Sequence, residues 1–366
     1  MAGIGGDGGR HSGAPALDRS RGRCRGRLGR STLLDRRRGV GGSGCGGCCA
    51  AWSRGGSRLL DDHLAGVDAP EVAADRVEAF LRDYEARLSR FREDSELSLL
   101  NADPREEVPA SDLLRSAVRA AVEAAEISGG LVDPTLLDDL RSAGYAERWT
   151  GEERIGLADA LAGERPAPAP ASASPQQRWR EIEVDDEAGV IRRPPGLLID
   201  NGGSGKGHAA DLASGLLDGY EHWAVDCGGD IRIGGETAVE REVEILDAFT
   251  GEPGESIAVR RGAVATSGLR SRIWRSPDGT PAHHLLDPST GRPAFTGLVS
   301  VTALAPSALE AETLAKAALL SGPVGARRIL ARHGGITVDE NGNPERIGRL
   351  EARPVVKLKQ PGGTPR

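Results

Sequence analysis

Residues Asp200-Asn-Gly-Gly-Ser-Gly-Lys-Gly-His-Ala-Ala-Asp211 form the most strongly patterned segment of this chain. Residues 197–200, apolar up to Asp200, predict a short strand, the glycines predict a turn, and residues 207–217 predict a helix. Glycines let a backbone approach a ligand closely, and a helix start beside a lysine, Lys206, suits a phosphate. The spacing fits neither the P-loop nor the dinucleotide-binding glycine pattern, so the segment alone is also compatible with a plain tight turn.

Outward from this segment, helices and short strands mix without a regular β-α repeat. Asp68-Ala-Pro-Glu71 predicts a helix start, and a second helix is predicted from about Ser111 to the pair Gly129-Gly130. Later in the chain we expect strands at 223–225, 231–233, 243–246, 256–259, 264–266 and 299–304, a hairpin within 335–347, and helices at about 308–320 and 324–332. This order predicts the α+β class, with mixed or antiparallel sheets and packed helices.

Several further segments carry reactive or ligand-binding side chains. Thr266 and Ser267 end a predicted strand with two hydroxyls, which suit a ligand phosphate or carbonyl as well as an ordinary strand end. His284 precedes the turn Asp287-Pro-Ser-Thr-Gly291, where an imidazole can serve as a general base or be purely structural. Glu312 and Lys316 lie four residues apart on one predicted helix face, where the default expectation is a surface ion pair.

The order of these segments resembles the ApbE family, the FAD:protein FMN transferases, at points along residues 87–321. Two earlier elements are similar to family patterns: Arg90-Phe-Arg-Glu-Asp-Ser-Glu-Leu-Ser-Leu-Leu-Asn101 and Gly129-Gly-Leu-Val-Asp-Pro-Thr135. The family's Asp-x-Gly-Gly-x-x-Lys-Gly-x-x-x-Asp matches residues 200–211 in spacing. Gly-Gly-Asp at 228–230, Thr-Ser-Gly at 266–268 and His-x-x-Asp-Pro-x-Thr-Gly at 284–291 follow. Each element alone is weak evidence for the resemblance, but their occurrence in the family's order is strong evidence for it.

The resemblance implies an ApbE-like domain of the T-fold type over residues 61–352. It also implies a Mg²⁺-dependent reaction that cleaves FAD, places FMN on a Thr or Ser hydroxyl of an acceptor protein and releases AMP. The implied metal ligands are the Gly203 carbonyl and Glu312, and His284 or Asp287 is expected to activate the hydroxyl, with no choice between them from sequence. The residues expected to contact FAD are Leu131, Val132, Asp133, Asp200, Lys206, Thr266, Ser267 and Leu286.

Two departures from the family pattern bear on this expectation. Where the family's metal helix has an Asp and, four residues on, a Thr, this chain has Glu312 and Lys316. A protonated lysine has no lone pair to offer a metal, so either its ammonium replaces the metal's charge near the pyrophosphate or the site binds no metal. The family's early strand with its Met-Gly-Thr element is not recognisable, and residues 1–60 stand in its place.

Charge divides the chain into two unlike parts. Residues 1–60 hold 12 Arg and 3 Asp with neither Lys nor Glu, whereas the remainder carries most of the acids and a net charge of −16. That sign argues against nucleic acid as the main partner of residues 61–366. We expect residues 1–60 to be a Gly/Arg-rich low-complexity segment, disordered or a mis-called start, residues 163–176 an exposed Pro/Ala-rich loop, and residues 353–366 a flexible tail.

Two further functions are compatible with the sequence. One is an FAD-binding protein or FAD pyrophosphatase without transfer activity, and the other is a nucleic-acid-binding protein that uses the Arg-rich N-terminus. No apolar run of about 18 residues predicts a transmembrane segment, and no apolar region follows the basic residues as in a signal peptide. The sequence as it stands predicts a cytoplasmic protein, or an exported one if the N-terminus is mis-called.

Overall fold

The computed structural model describes residues 50–51, 68–148, 150, 154–276, 278–348 and 350. Apart from residues 50–51, the predicted low-complexity segment 1–60 lies outside the described residues, as does the predicted tail 353–366. The domain boundaries therefore stay predictions. Within the described residues, no helix is both long and apolar enough to cross a membrane.

The helices of the described part of the chain begin close to their predicted positions. Ser111 accepts a hydrogen bond from the Leu114 N–H at 3.2 Å and thereby caps the N-terminus of its helix. Short 3₁₀ turns cover Arg178–Glu181 and Gly215–Leu217. In chain order the α-helices are α1 (Pro70–Leu88), α2 (Glu96–Ala102), α3 (Asp112–Ile127), α4 (Leu137–Ser142), α5 (Leu157–Ala162), α6 (Gly205–Ser214), α7 (Ala308–Leu320) and α8 (Gly322–Leu330).

The strands are short, and each described pair is antiparallel. The α+β prediction is therefore confirmed. In chain order the strands are β1 (Ala50–Ala51), β2 (Glu107–Pro109), β3 (Glu183–Asp185), β4 (Val190–Arg192), β5 (Trp223–Cys227), β6 (Ile231–Gly234), β7 (Arg241–Leu246), β8 (Pro253–Val259), β9 (Gly262–Gly268), β10 (Ile273–Arg275), β11 (Pro281–His283), β12 (Leu286–Asp287), β13 (Arg292–Pro293), β14 (Leu298–Ala305), β15 (Gly335–Asp339) and β16 (Pro344–Ile347).

A seven-stranded sheet with the order β1-β5-β6-β9-β14-β15-β16 organises the molecule. Helix α7 packs against β9 and β14 of this sheet, and α6 and α8 pack against α7. The close approach of α7 follows from its small residues, because Ala311, Ala315 and Ala318 are completely buried. Helices α1 and α3 then pack on α6, so that apolar side chains fill the space between these helices and the sheet.

The predicted strand at 197–200 is wrong, although the segment is apolar and buried. Its hydrogen bonds go to the Asn101 side chain instead of a neighbouring strand: Asn101 Nδ2 donates to the Ile199 carbonyl and the Ile199 N–H donates to Asn101 Oδ1, both at 2.8 Å. The Asp200 N–H donates to the Pro134 carbonyl at 2.8 Å. The Asn101 side chain and the Pro134 carbonyl thus hold the segment that leads into the glycine-rich turn.

Residues 163–176 form an extended loop that crosses the molecule beside α7. The Ala169 N–H donates to the Phe295 carbonyl at 2.9 Å, and the Ala171 N–H donates to the Leu320 carbonyl at 2.8 Å. The Ser172 N–H reaches Asp287 Oδ1 at 3.1 Å. The loop therefore connects the end of α7 to the turn that follows His284.

Candidate active site

A cavity lies where the glycine-rich turn, the C-terminal half of α7 and five loops meet. Four of the loops follow α1, α3, α4 and β9, and the fifth precedes β12. Five cationic side chains and three carboxylates line this cavity, so its charged lining is net positive. These charged residues are Arg90, Arg148, Lys206, Arg272 and Lys316, together with Glu85, Asp133 and Asp200.

The glycine-rich turn is held by the carboxylate that precedes it. Asp200 Oδ2 accepts the Gly202 N–H at 3.1 Å, and Asp200 Oδ1 lies 3.4 Å from Arg90 Nε. Both side chains are nearly buried, at 10% and 7% exposed. The Asn201 carbonyl accepts the Gly205 N–H at 2.7 Å, which starts α6 earlier than the predicted Gly207. Lys206 therefore sits in the first turn of α6 and lines the cavity.

Lys206 and Lys316 stand over two buried carboxylates. Lys206 Nζ lies 2.6 Å from Asp230 Oδ2 and 4.0 Å from Glu312 Oε1, and Lys316 Nζ donates to Glu312 Oε1 at 2.7 Å. Asp230 and Glu312 are 1% and 0% exposed, while both lysines reach the cavity surface. The predicted Glu312–Lys316 pair thus forms, but the expectation of a surface pair is wrong because α7 is buried against the sheet.

The charge states of this cluster follow from burial and pairing. Burial alone would lower the pKa of Lys206, but Asp230 and Glu312 together raise it above its ordinary value. Burial alone would likewise raise the pKa of Glu312, but Lys316, Lys206 and the Gly207 N–H hold it below its ordinary value. Burial raises the pKa of Asp230, and Lys206 opposes that rise. Lys206 is therefore an ammonium and Glu312 a carboxylate at neutral pH.

Helices α6 and α7 are fixed to each other beneath the cavity. The Gly207 N–H donates to Glu312 Oε2 at 2.8 Å, and a Cβ at Gly207 would lie 2.4 Å from the Ala308 carbonyl oxygen. Only glycine permits so close an approach. The Asp211 carboxylate accepts the Ala308 and Leu309 N–H groups, both at 2.9 Å, and so caps α7. The first and last parts of the Asp200–Asp211 segment thus shape the turn and orient α7.

Aromatic rings and arginines form another wall of the cavity. The Arg90 guanidinium contacts two rings that pack edge-to-face on each other, 4.4 Å from the centroid of Phe91 and 4.4 Å from that of Tyr145. Tyr145 also packs against Trp274 with ring centroids 5.9 Å apart. Cation–π contacts of this kind hold a guanidinium in one orientation. Arg90 is therefore held by the Asp200 carboxylate and by the two rings.

His284 faces the cavity as a neutral imidazole. Burial, together with the positive charges of Arg272 and Lys316 and the neighbouring His283, lowers its pKa well below the ordinary value. The Nδ1 atom lies 3.4 Å from the Arg272 carbonyl, which suits a long hydrogen bond from Nδ1–H. That tautomer leaves a lone pair on Nε2, so the side chain can accept a proton from a ligand hydroxyl.

The sequence matches the model of the ApbE family over residues 59–338. The chain belongs to the ApbE family. Its relatives include the FAD:protein FMN transferase of Treponema pallidum, which is 31% identical over 69% of this chain and 73% of the relative. The FAD:protein FMN transferase of Escherichia coli K12 is 24% identical over 74% of this chain and 78% of the relative.

The fold agrees with solved ApbE structures. The crystal structure of the ApbE protein of Thermotoga maritima superposes with a TM-score of 0.63 and 26% identity, covering 77% of this chain and 91% of that chain. The apo flavinyl transferase ApbE of Pseudomonas stutzeri superposes with a TM-score of 0.59 at 22% identity, covering 82% of this chain and 95% of that chain. The similarity thus extends over nearly the whole length of the solved ApbE chains.

The structure brings most of the residues predicted for an ApbE site to one cavity and leaves a few elsewhere. Thr266 bonds to Thr302 at 2.8 Å across β9 and β14, and Ser267 is buried in the same strand. Asp287 accepts the Ser289 N–H at 3.0 Å and holds its own turn. The predicted residues that line the cavity are Leu131, Val132, Asp133, Asp200, Gly203, Lys206, His284 and Leu286.

The cavity residues that the sequence did not point to include Arg90, Tyr145 and Arg272, each for a different reason. Arg90 lies within a segment that resembles the family pattern, but nothing in that pattern assigned it a role. Tyr145 lies outside the quoted motifs. The only sequence feature that sets it apart is that the chain contains just three Tyr. Arg272 is one of many arginines in this Arg-rich sequence, so its position carries no distinguishing signal.

Proposed function

We propose that this ApbE family member is an FAD:protein FMN transferase, the activity for which its relatives are named. The observation that carries the proposal is the cavity itself, where two lysines, Lys206 and Lys316, and a neutral His284 line one space. Phosphoryl transfer needs positive charge beside the phosphates and a group that takes the proton of the attacking hydroxyl. The cavity lining supplies both.

The proposed reaction balances without an added oxidant or reductant. The oxygen of an acceptor Thr or Ser hydroxyl forms a bond to the phosphorus of the FMN half of FAD. The phosphoanhydride bond from that phosphorus to the AMP half breaks, and AMP leaves with the bonding electron pair. The hydroxyl proton passes to Nε2 of His284, which the Nδ1 contact with the Arg272 carbonyl keeps in the accepting tautomer.

His284 is the proposed base, and Asp287 is assigned a positioning role. Asp287 does not line the cavity, and its Oδ1 accepts the Ser289 N–H of its own turn at 3.0 Å and the Ser172 N–H of the 163–176 loop at 3.1 Å. Asp287 thereby fixes the segment that carries His284 and Leu286, which also line the cavity. The sequence alone did not decide whether His284 or Asp287 activates the hydroxyl.

Asp133 offers the proposed ligand an acceptor oxygen that has no partner within the described part of the chain. Its Oδ1 accepts the Thr135 N–H at 2.8 Å, whereas its buried Oδ2 has no hydrogen-bond partner among the described residues. Burial raises the pKa of this carboxyl, since the hydrogen bonds from Thr135 offset only part of the desolvation. A ring N–H or amino group of FAD would satisfy Oδ2, and Leu131, Val132 and Leu286 would contact its apolar surface.

The donor set does not fit the Mg²⁺ ion that the resemblance implies. Each Glu312 oxygen already accepts a hydrogen bond, Oε1 from the Lys316 ammonium and Oε2 from the Gly207 N–H. The described residues hold no group of three or more His, Cys, Asp or Glu side chains that could bind a metal. Mg²⁺ prefers several oxygen ligands, and an ammonium repels it. We therefore assign no step to a metal held by Gly203 and Glu312.

The test is to incubate purified protein with FAD, with and without an acceptor, and to separate the products. The proteins that the Escherichia coli relative modifies are suitable acceptors, with that relative as the positive control. A transferase gives AMP and covalently bound FMN only when acceptor is present. A pyrophosphatase gives free FMN and AMP in both reactions, and a binding protein leaves FAD intact.

A nucleic-acid-binding function has less support than flavin transfer. The arginines of residues 1–60, which motivate that function, lie outside the described residues, and nothing in the cavity favours a nucleic-acid ligand. The acceptor protein is proposed only by its chemistry, a Thr or Ser hydroxyl. The cytoplasmic or exported location stays a prediction.

A further inference from the structure

Two ammonium groups stand at the cavity surface with their counter-charges buried behind them. Lys206 and Lys316 line the cavity, whereas Asp230 and Glu312 do not. The Lys206 and Lys316 side chains are 24% and 11% exposed, against 1% and 0% for the two carboxylates. An anion that enters the cavity therefore meets the ammonium groups first.

Glu312 joins the two lysines into one unit. Its Oε1 lies 2.7 Å from Lys316 Nζ and 4.0 Å from Lys206 Nζ, so one carboxylate oxygen faces both ammonium groups. Its Oε2 is bound to the Gly207 N–H, which fixes the carboxylate to the start of α6. The two cations are thus positioned from below by a rigid, fully buried group.

We propose that Lys316 is a built-in cation that, with Lys206, binds the pyrophosphate of FAD directly, so that this protein binds FAD without a divalent metal ion. The ligand in this proposal rests on the proposed function. The placement of the two cations does not depend on it, because Lys316 donates to Glu312 Oε1 at 2.7 Å and Lys206 lies 4.0 Å from the same oxygen. Ammonium–phosphate hydrogen bonds are charge-assisted and strong, and they need no metal to bridge two anions.

The lysine is also predicted to exclude the metal. A divalent ion at Glu312 Oε1 would have to displace an ammonium that lies 2.7 Å away, and it would gain no ligand from that side chain. Replacing Lys316 by threonine removes the cation, leaves a hydroxyl four residues after Glu312 and frees one carboxylate oxygen. The single substitution should therefore turn a metal-independent site into a metal-dependent one.

The experiment is calorimetric titration of FAD into the full-length protein, once with Mg²⁺ and once with EDTA. We expect the wild-type Kd to agree in the two buffers within about twofold, and a loss of affinity of about tenfold or more in EDTA would overturn the proposal. For Lys316→Thr we expect a Kd at least about tenfold weaker in EDTA, with partial recovery in Mg²⁺. Lys316→Met is the matched control, because it removes the charge without adding an oxygen and should show no recovery.

Mn²⁺ binding, followed by electron paramagnetic resonance without FAD, separates this proposal from the proposed function. We expect no stoichiometric Mn²⁺ site in the wild type and a new one in Lys316→Thr, and a tight wild-type site that is lost in Glu312→Gln would overturn the proposal. Folded protein that binds no FAD in either buffer would refute both FAD binding and the flavin transferase function. The Mn²⁺ result would then still decide whether Lys316 excludes a metal.

Discussion

Lys316 Nζ lies 2.7 Å from Oε1 of Glu312, and the carboxylate of that pair is completely buried. The pair spans one turn of α7, the helix that packs on the central sheet and ends beside the cavity. A buried ion pair of this kind is unusual in a helix whose other residues are mostly Ala and Leu. Its position beneath a cationic cavity links the stability of the fold to the chemistry of the site.

Removing the Glu312 charge should destabilise the protein strongly. In Glu312→Gln the side chain keeps its shape and can still accept from Gly207, but two ammonium groups lose their shared counter-charge. Breaking a buried pair on one side costs about 3–5 kcal/mol in the free energy of unfolding, measured by urea denaturation. Glu78→Gln, in an exposed pair with Arg82, is the control and should cost about 1 kcal/mol or less. Equal losses in the two variants would contradict the role assigned to Glu312.

A methyl group at Gly207 should force α6 and α7 apart. The added Cβ would meet the Ala308 carbonyl oxygen at 2.4 Å, so Gly207→Ala should lower the free energy of unfolding by about 1–3 kcal/mol. Gly215→Ala is the matched control, because an added Cβ there meets nothing within 4 Å. That variant should change stability by no more than about 1 kcal/mol. Thermal unfolding of both proteins measures the difference, and a Gly207→Ala protein as stable as the control would refute the close packing.

His208 should make the protein less stable in acid. Its ring is bonded to Tyr84 and Ser116 at 3.0 and 2.9 Å, and burial lowers its pKa to about 4 from 6.5. The unfolded chain therefore binds this proton at a higher pH than the native chain does. The neutral His208 ring therefore contributes about 3 kcal/mol to the free energy of unfolding. This contribution is complete above pH 6.5 and is lost as the pH falls toward 4.

Urea denaturation at a series of pH values tests the His208 prediction. His208→Gln should flatten the fall in stability between pH 6.5 and 4, although it also lowers stability at neutral pH. Ser116→Ala keeps the imidazole and should keep the fall. His283, whose pKa burial lowers to about 3, adds a similar dependence, so the flattening in His208→Gln is partial. An unchanged slope in His208→Gln would show that other groups carry the acid sensitivity.

His284 and Asp287 should behave differently when each is replaced. His284→Ala removes the proposed base and should slow FMN transfer about 100-fold or more, with the Kd for FAD changed little. Asp287→Asn keeps one acceptor oxygen for the turn and should retain most of the activity. Single-turnover rates and FAD titrations on both variants separate the two roles. A larger loss of rate in Asp287→Asn than in His284→Ala would reverse the assignment.

Much of the fold was predictable because local patterns set it. The capping serine Ser111, the Asp68-Ala-Pro-Glu71 start and the glycine-rich turn each act through neighbouring residues, and the helices begin near the expected places. The prediction of a strand at 197–200 was wrong because the segment bonds to the Asn101 side chain, nearly a hundred residues earlier, and not to another strand. No periodicity in either segment records that pairing.

The site was predictable where short motifs place residues and unpredictable where tertiary packing does. Lys206 and His284 came from ordered motifs and both line the cavity. Glu312 and Lys316 were predicted as a pair, but their burial depends on the contact of α7 with β9, β14 and α6. Arg90, Tyr145 and Arg272 reach the cavity only because loops distant in sequence converge there.

FMN transfer is tested most directly by the intact mass of an acceptor protein after incubation with this protein and FAD. We expect the acceptor to gain the mass of one FMN less one water, with one AMP released per modified acceptor. A variant of the acceptor with its target threonine changed to alanine should gain nothing. An acceptor of unchanged mass, while FAD is split to free FMN and AMP, would contradict FMN transfer.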